Sequence, residues 1–175
     1  MARTATASVR AMSTADETSL AHPQFAAALQ ELGLDVEVRR FPEDTRTAQQ
    51  AAEAIGCEVA EIVKSLIFAA DGVPVLVLMD GASRVDVELV RRELCAAKVT
   101  RADAKVVRET TGYAIGGVPP FGHRTRTRVL ADRGILEHDL VWAAAGNPRT
   151  VFALDPKSLV AHAGATLVDV RETSA

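Results

Sequence analysis

The strongest fold signal in the sequence is a pair of apolar runs joined by a two-residue turn. Residues 62–70 (IVKSLIFAA) and 73–79 (VPVLVLM) are rich in β-branched and aliphatic side chains, and Asp71 and Gly72 lie between them. An Asp-Gly dipeptide tolerates the positive φ angles of a tight turn, so the three parts together predict a β-hairpin. Because both runs are almost wholly apolar, we expect the hairpin at the centre of a sheet that is covered on both faces.

Helical and strand patterns alternate along the rest of the chain. Apolar residues at helical spacing, with polar caps before them or glycines after them, predict helices over 25–32, 48–55, 87–94, 103–112 and 156–163. Apolar and β-branched runs predict strands over 36–41, 126–131, 140–146, 150–154 and 165–170. Hairpins and crossovers are mixed in this order, which predicts an α+β fold with a mixed β-sheet flanked by helices.

Length and composition predict a single domain. The chain has 175 residues, 48% of them hydrophobic, which suffices for one buried core but not for two ordinary domains. We expect this domain over 20–175, because residues 1–19 are rich in Ala, Ser and Thr without an apolar period and predict a disordered tail. Cys57 and Cys95 form no CxxC motif, and neither a signal-peptide pattern nor a membrane-length apolar run is present. A cytoplasmic protein without membrane contact is the expectation.

Charge is distributed unevenly along the chain. The net charge of -3 argues against a generally basic nucleic-acid binder. Between Lys98 and Arg128, however, seven basic residues accompany two acidic ones. This segment could present a basic face to a nucleic-acid backbone, or it could be an ordinary solvated surface. Trp142 and Tyr113 alone offer large amphipathic rings, so stacking on several bases is not indicated.

Lys64 interrupts the apolar run of the first hairpin strand. One interpretation places it at the start of the strand with its ammonium reaching water. The other makes it a cationic clamp that faces a cleft, where a partly desolvated charge can hold a carbonyl, a phosphate or a developing oxyanion. Composition alone leaves both open.

The segment 113–123 (YAIGGVPPFGH) contains three glycines and two prolines, too many interruptions for a regular helix or strand. It predicts a shaped loop. Its glycines would let backbone N–H groups approach a ligand, and its prolines would hold the loop's form. The alternative is a rigid connection without a ligand. Gly146 and Asn147 form a weaker turn signal of the same kind.

Common catalytic and metal-binding signatures are absent from the sequence. There is no GxSxG elbow, phosphate-binding GxxxxGK[ST], HExxH or dinucleotide GxGxxG motif. The four histidines lie in separate predicted elements without the paired spacing of a zinc site. We therefore expect neither a metal nor another cofactor.

Five segments together resemble the YbaK and prolyl-tRNA-synthetase-associated editing-domain family. They occur in the family's order and cover nearly everything from 25 to 170: TAQQAAEAIG, EIVKSLIF, RVDVELVRREL, RADAKVVRETTGYAIGGVPPFGH and VWAAAGNPRTVFAL. The resemblance implies a single α+β domain with a curved mixed sheet. It also implies a stand-alone deacylase that clears a small, wrongly attached amino acid from tRNA.

The resemblance assigns roles to particular residues. It makes Lys64 the catalytic residue, which anchors the aminoacyl-adenosine end. Backbone amides of Gly116, Gly117 and their neighbours would orient the aminoacyl group for attack by water, with a ribose hydroxyl of the substrate as a candidate assistant. From its position beside the PFG turn, His123 could also reach this water, or it could be an ordinary exposed loop histidine. The predicted substrate-binding residues are Ser65, Gly116, Gly117, Val118, Pro120, Phe121, Gly122, His123, Gly146 and Asn147.

Partners and specificity follow from the same resemblance. The expected partner is the acceptor end of an aminoacyl-tRNA, with a synthetase or an elongation factor as a further candidate. The cysteine-removing branch carries a serine and an aspartate where this chain has Ala144 and Val151, so an alanine-like substrate is favoured over cysteine. The alternative function is a non-catalytic module that binds tRNA ends or amino acids.

Overall fold

The computed structural model describes residues 20–45 and 47–173, so the predicted tail 1–19 lies outside the described residues. These residues form one α+β domain with a mixed sheet, as predicted. The strands are β1 (Val38–Arg40), β2 (Ile62–Ala70), β3 (Val73–Asp80), β4 (Val99–Arg101), β5 (Arg128–Asp132), β6 (Val141–Ala144), β7 (Thr150–Leu154) and β8 (Thr166–Val168). The helices are α1 (Pro23–Leu32), α2 (Ala48–Ile55), α3 (Val87–Glu93), α4 (Ala104–Thr111) and α5 (Pro156–Ala163).

The β2–β3 hairpin occupies the middle of the sheet, as the apolar runs predict. Its eight residue pairs run from Val63 opposite Asp80 to Ala70 opposite Val73. The turn is formed by Asp71 and Gly72, with φ angles of 50° and 81°. Strand order is β1-β7-β6-β2-β3-β5-β8, and β4 pairs with β2 outside this path. The hairpin therefore pairs directly with β4, β5 and β6, and the remaining strands pair with β5, β6 or β7.

Three helices begin after a polar N-cap residue, as the sequence predicts for α2 and α4. Thr47 accepts a hydrogen bond from Gln50 N, Asp103 from Val106 N and Asp155 from Ser158 N. These side chains satisfy backbone donors that a helix leaves free at its first turn. The predicted boundaries of α2 and α5 coincide with those observed.

Strand β4 was not predicted from the sequence. Its pairing determines which part of β2 is left without a neighbouring strand. β6 pairs with β2 only at Ile62 and Val63, whereas β4 pairs with it only from Phe68 to Ala70. On this edge of β2, residues 64–67 have no ladder partner, but Ile67 O accepts a hydrogen bond from Ala102 N, which leaves the edge free at residues 64–66. We call this interval the sheet gap.

Strand geometry shows which groups face the sheet gap. Ile67 O accepts a hydrogen bond from Ala102 N at 3.1 Å, which places that carbonyl on the β4 side of β2. Because backbone polar groups alternate sides along a strand, Ser65 N–H and C=O point into the sheet gap. Side chains alternate between the two sheet faces, so Lys64 and Ser65 lie on opposite faces.

The buried side chains form three clusters around the sheet. The largest contains Phe25, Leu76 and Phe152, and a second, on the other face of β3, contains Val77 and Met79. A third cluster joins α2 to β6 and β7 through Ala51, Ala52, Ile62, Trp142 and Val151. The sheet gap lies where the first and third clusters meet.

Candidate functional site

A cavity of about 270 Å³ opens at the sheet gap. Its floor is formed by residues 62–67 of β2, and its walls come from β4, β6, β7, α2, α4 and the glycine-rich loop. The residues that line it, apart from those of β2, are Thr45, Thr47, Ala48, Ala51, Arg101, Ala102, Val107, Ile115, Gly116, Val118, Trp142, Ala143, Ala144, Asn147, Thr150 and Val151. The missing strand pairing thus creates a concave site in the middle of the molecule.

Lys64 lies half-buried in the wall of this cavity. Its Nζ donates a hydrogen bond of 2.5 Å to Ser83 O, in the turn after β3. Burial lowers the pKa of Lys64. The Asp80 carboxylate raises this pKa, whereas the positive charges of Arg101 and Arg84 lower it. An ammonium has three donors, so further donors remain for a ligand. This location favours the cationic-clamp interpretation.

Ser65 also lines the cavity, on the other face of β2. Its Oγ is buried and has no hydrogen-bond partner among the described residues. The backbone N–H of Ser65 faces the sheet gap, and its hydroxyl is enclosed. Ser65 can therefore contact a ligand in the cavity through its main chain.

The glycine-rich loop meets the cavity at Gly116 and Val118. Gly117 lies between them and packs against a second loop instead. A Cβ added at Gly117 would come within 2.7 Å of Asn147 Cα and 2.9 Å of Asn147 N. Because only a glycine permits this approach, it brings the loop beside Asn147, which also lines the cavity. The two turn signals of the sequence therefore form one wall.

The remaining predicted residues of the loop lie outside the cavity wall. Pro120 and Phe121 are buried, and the Phe121 ring packs against Phe25 and Phe152. Gly122 O accepts hydrogen bonds from Tyr113 Oη and Gln24 Nε2, at 2.8 Å and 2.9 Å. These contacts tie the second half of the loop to α1 and fix the shape of its first half.

His123 and Gly146 likewise serve internal contacts. His123 Nε2 lies 2.6 Å from Pro119 O, and burial lowers the pKa of the ring while this hydrogen bond raises it. A Cβ added at Gly146 would come within 2.2 Å of His22 Cβ, so Gly146 permits the start of α1 to pack on the loop. Neither residue lines the cavity, although both border elements that do.

Ala144 and Val151 face the cavity from neighbouring strands. They are paired directly across the β6–β7 ladder and point to the same face. Ala48 and Ala51 of α2 lie in the same wall. These four residues give this part of the wall small apolar side chains.

Several cavity residues were not identified from the sequence. Arg101 was not identified as a cavity residue because β4 has only three residues, too few to show the alternation of apolar and polar side chains that marks a strand. Trp142 was noted for its ring alone, whereas the structure places it in the wall, with Arg39 Cζ 4.8 Å from its ring centroid. Val107 and Ile115 line the cavity because of how α4 and the glycine-rich loop pack against the sheet. A local sequence pattern does not predict this packing.

The fold and cavity define a class of protein: a small α+β domain that encloses a half-buried lysine and a glycine-rich loop around an interrupted central strand. The family model of the aminoacyl-tRNA editing domain matches residues 42–161. The chain belongs to this family.

Three similar proteins support this assignment. The Bacillus subtilis protein YwhH, which is uncharacterized, is 33% identical over 124 residues, covering 70% of this chain and 78% of YwhH. A proline–tRNA ligase of Maridesulfovibrio salexigens is 30% identical over 101 residues, which cover 58% of this chain but only 17% of the ligase. A crystal structure of a protein proposed to be a trans-editing enzyme for prolyl-tRNA synthetase is 40% identical, with a TM-score of 0.81, covering 87% of this chain and 99% of that one.

The described part of the chain contains neither a membrane-spanning helix nor a cluster of metal-binding side chains. No helix within 20–45 and 47–173 is long and apolar enough to cross a membrane. Across the same residues, no group of three or more His, Cys, Asp and Glu side chains could hold a metal ion.

Proposed function

We propose that this protein hydrolyses, in trans, the ester of a mischarged tRNA that carries a small amino acid. The main support for this proposal is the cavity at the sheet gap, which brings Lys64 from β2 together with Gly116 from the glycine-rich loop. A terminal adenosine and its aminoacyl group would lie between them. The likeness to a proposed trans-editing enzyme and to a segment of a proline–tRNA ligase supports the same reaction class.

The proposed chemistry is addition of water to the ester carbonyl. The water oxygen bonds to the carbonyl carbon, and the resulting oxyanion is stabilised by the Lys64 ammonium and by backbone N–H groups that face the cavity. The bond to the ribose oxygen then breaks, and that oxygen takes a proton as the amino acid leaves. An aminoacyl ester is already activated, so positioning and carbonyl polarisation supply most of the rate.

Proton transfer would be assisted by the substrate. The described residues that line the cavity include no histidine or carboxylate. His123 lies outside the lining, and its Nε2 contacts Pro119 O. A neighbouring ribose hydroxyl of the terminal adenosine is therefore the favoured group to relay the proton of the attacking water.

The apolar wall of the cavity supports selection by size. Ala144 and Val151 lie on the same face of the sheet as Lys64, because bridge partners and alternate residues share a face. Beside these small apolar side chains a larger substrate side chain meets steric overlap, and the serine and aspartate of the cysteine-removing branch are absent. One missing methylene changes binding by only about 1–3 kcal/mol, so alanyl and seryl esters should be poorly distinguished. Alanine-like substrates are favoured over cysteine.

A panel of tRNAs charged with alanine, serine, cysteine or proline tests this proposal. We expect the purified protein to release alanine fastest, to give cysteine no advantage from its sulfur, and to spare proline. Addition of a chelator should leave the rates unchanged. Binding of the charged tRNAs without release would instead identify the non-catalytic module, and a strong preference for cysteinyl-tRNA would contradict the specificity. A synthetase or elongation factor as further partner stays a prediction.

A further inference from the structure

Arg101 is an exposed cation at the edge of the cavity. Some arginines of the described chain, such as Arg149 and Arg171, lie within 4 Å of a carboxylate, whereas others, such as Arg84, do not. Arg101 has no ion pair and no side-chain hydrogen bond within 20–45 and 47–173. Its guanidinium is therefore available to a ligand.

The backbone of Arg101 is held firmly beside the sheet gap. It ends β4, opposite Phe68 of β2, and the next residue, Ala102, donates its N–H to Ile67 O at 3.1 Å. The side chain thus starts from a fixed point at the rim. A rigid origin favours a specific contact over a loose electrostatic attraction.

Charge around the cavity favours an anionic ligand group. Lys64 and Arg101 both line it, whereas none of its described lining residues is Asp or Glu. The two cations are close enough for Arg101 to lower the pKa of Lys64. An anion between or beside them would relieve this repulsion.

The proposed substrate carries one anionic group near its reactive end. The ester and the adenine are uncharged, but the phosphodiester that joins the terminal adenosine to the preceding nucleotide is an anion. We propose that Arg101 binds this phosphodiester and so positions the ester at Lys64. This inference rests on the proposed function and adds a phosphate subsite to it. Arginine suits the task because its planar fork can donate two parallel hydrogen bonds to phosphate oxygens.

Paired substrates test the subsite. The aminoacyl group released fastest from tRNA is placed on tRNA and on free adenosine, which lacks the phosphodiester. Arg101→Gln should lower kcat/KM for the tRNA substrate by roughly tenfold or more, mainly through KM, and leave the adenosine ester within about twofold of wild type. Arg101→Lys should be intermediate, because it keeps the charge and loses the fork.

Arg84→Gln is the matched control. Arg84 is also exposed, and its charge also lowers the pKa of Lys64, but it does not line the cavity. We expect Arg84→Gln to leave both substrates unaffected. Equal losses in the two glutamine variants, equal losses on the two substrates, or no loss in Arg101→Gln would each overturn the subsite.

Binding of unreactive probes separates this inference from the proposed function. The dinucleotide CpA contains the phosphodiester, and adenosine does not. Wild type should bind CpA more tightly than adenosine, and Arg101→Gln should abolish the difference. If the protein hydrolysed no charged tRNA, the proposed deacylase activity would be wrong. The difference in affinity between CpA and adenosine would still test the phosphate subsite. Equal affinity of wild type for the two probes would refute it.

Discussion

At the scale of single residues, the ammonium of Lys64 is placed at a cost to stability. Burial lowers its pKa, so the folded protein binds this proton less tightly than the unfolded chain does. Between the lowered pKa and the ordinary value of 10.5, the unfolded state holds more protons, and the free energy of unfolding rises with pH. At neutral pH the charged lysine therefore weakens the fold.

Lys64→Met should separate function from stability. It keeps the apolar stem and removes the charge, so we expect the free energy of unfolding at pH 7 to be unchanged or higher. Its difference from wild type should shrink as pH rises toward 10.5. Deacylation should fall by about 100-fold or more, the usual loss when an oxyanion donor is removed. Urea unfolding across pH and single-turnover hydrolysis measure the two effects, and a variant with near-normal turnover would contradict the role of Lys64.

At this scale, the chemical types of the cavity residues were easier to predict from the sequence than their positions. Lys64 stood out because a charge in an apolar run needs a reason, and Gly116 and Asn147 because turn residues do. Which half of the loop faces the cavity could not be predicted, since it depends on Phe121 and Gly122 packing against α1. The sites of Ser65, Gly116, Val118 and Asn147 in the wall agree with their predicted binding role, which itself stays a prediction.

At the scale of elements, the contact between the two loops determines the cavity wall. The close approach of Gly117 to Asn147 involves backbone atoms, which cannot yield as a flexible side chain would.

Gly117→Ala should force the two loops apart. We expect a loss of about 1–3 kcal/mol in unfolding free energy from overpacking. Activity should fall by about tenfold or more, because misplacement of binding groups by an ångström is costly to catalysis. Gly164→Ala is the control: its φ of 63° strains an alanine at the end of α5, but it does not line the cavity. It should lose stability without losing activity at a temperature where it stays folded, and equal activity losses would argue against the loop contact.

Helices and the central hairpin were predictable because their caps, turn and apolar periods are local. Strand β4 was not, since three residues carry too short a pattern and its pairing with Phe68–Ala70 is a tertiary event. The sheet gap, which depends on where β4 begins and β6 ends, lay beyond local reasoning for the same reason.

At the scale of the whole molecule, the last described residues brace the turn that holds Lys64. Asp86 N donates to Val170 O, and Glu172 N donates to Arg84 O. Arg171 Nη2 lies 3.0 Å from Asp80 Oδ2 and 3.4 Å from Asp132 Oδ2. Both carboxylates are 3% exposed. A segment at the end of the chain thereby fixes the 81–86 turn, which carries Ser83 O.

Arg171→Met should unfold more easily than wild type, because it leaves two buried carboxylates without their shared cation. We expect a loss on the order of 3 kcal/mol, typical of removing one partner of a buried ion pair. Arg133→Met is the matched control, since the Arg133–Asp169 pair is 54% and 77% exposed and should contribute under about 1 kcal/mol. Urea denaturation of both variants gives the comparison, and similar small losses would show that the buried carboxylates do not depend on Arg171.

The sheet gap also bears on aggregation. An exposed strand edge invites strand addition from another chain, and proteins usually protect such edges with charges, prolines or covering elements. Here the free edge is only three residues long and lies inside the sheet, with β6 at one end and β4 at the other. A strand from a second copy has no room to align along it. The sheet gap can therefore keep backbone donors and acceptors open to a small ligand without itself offering a template for strand addition.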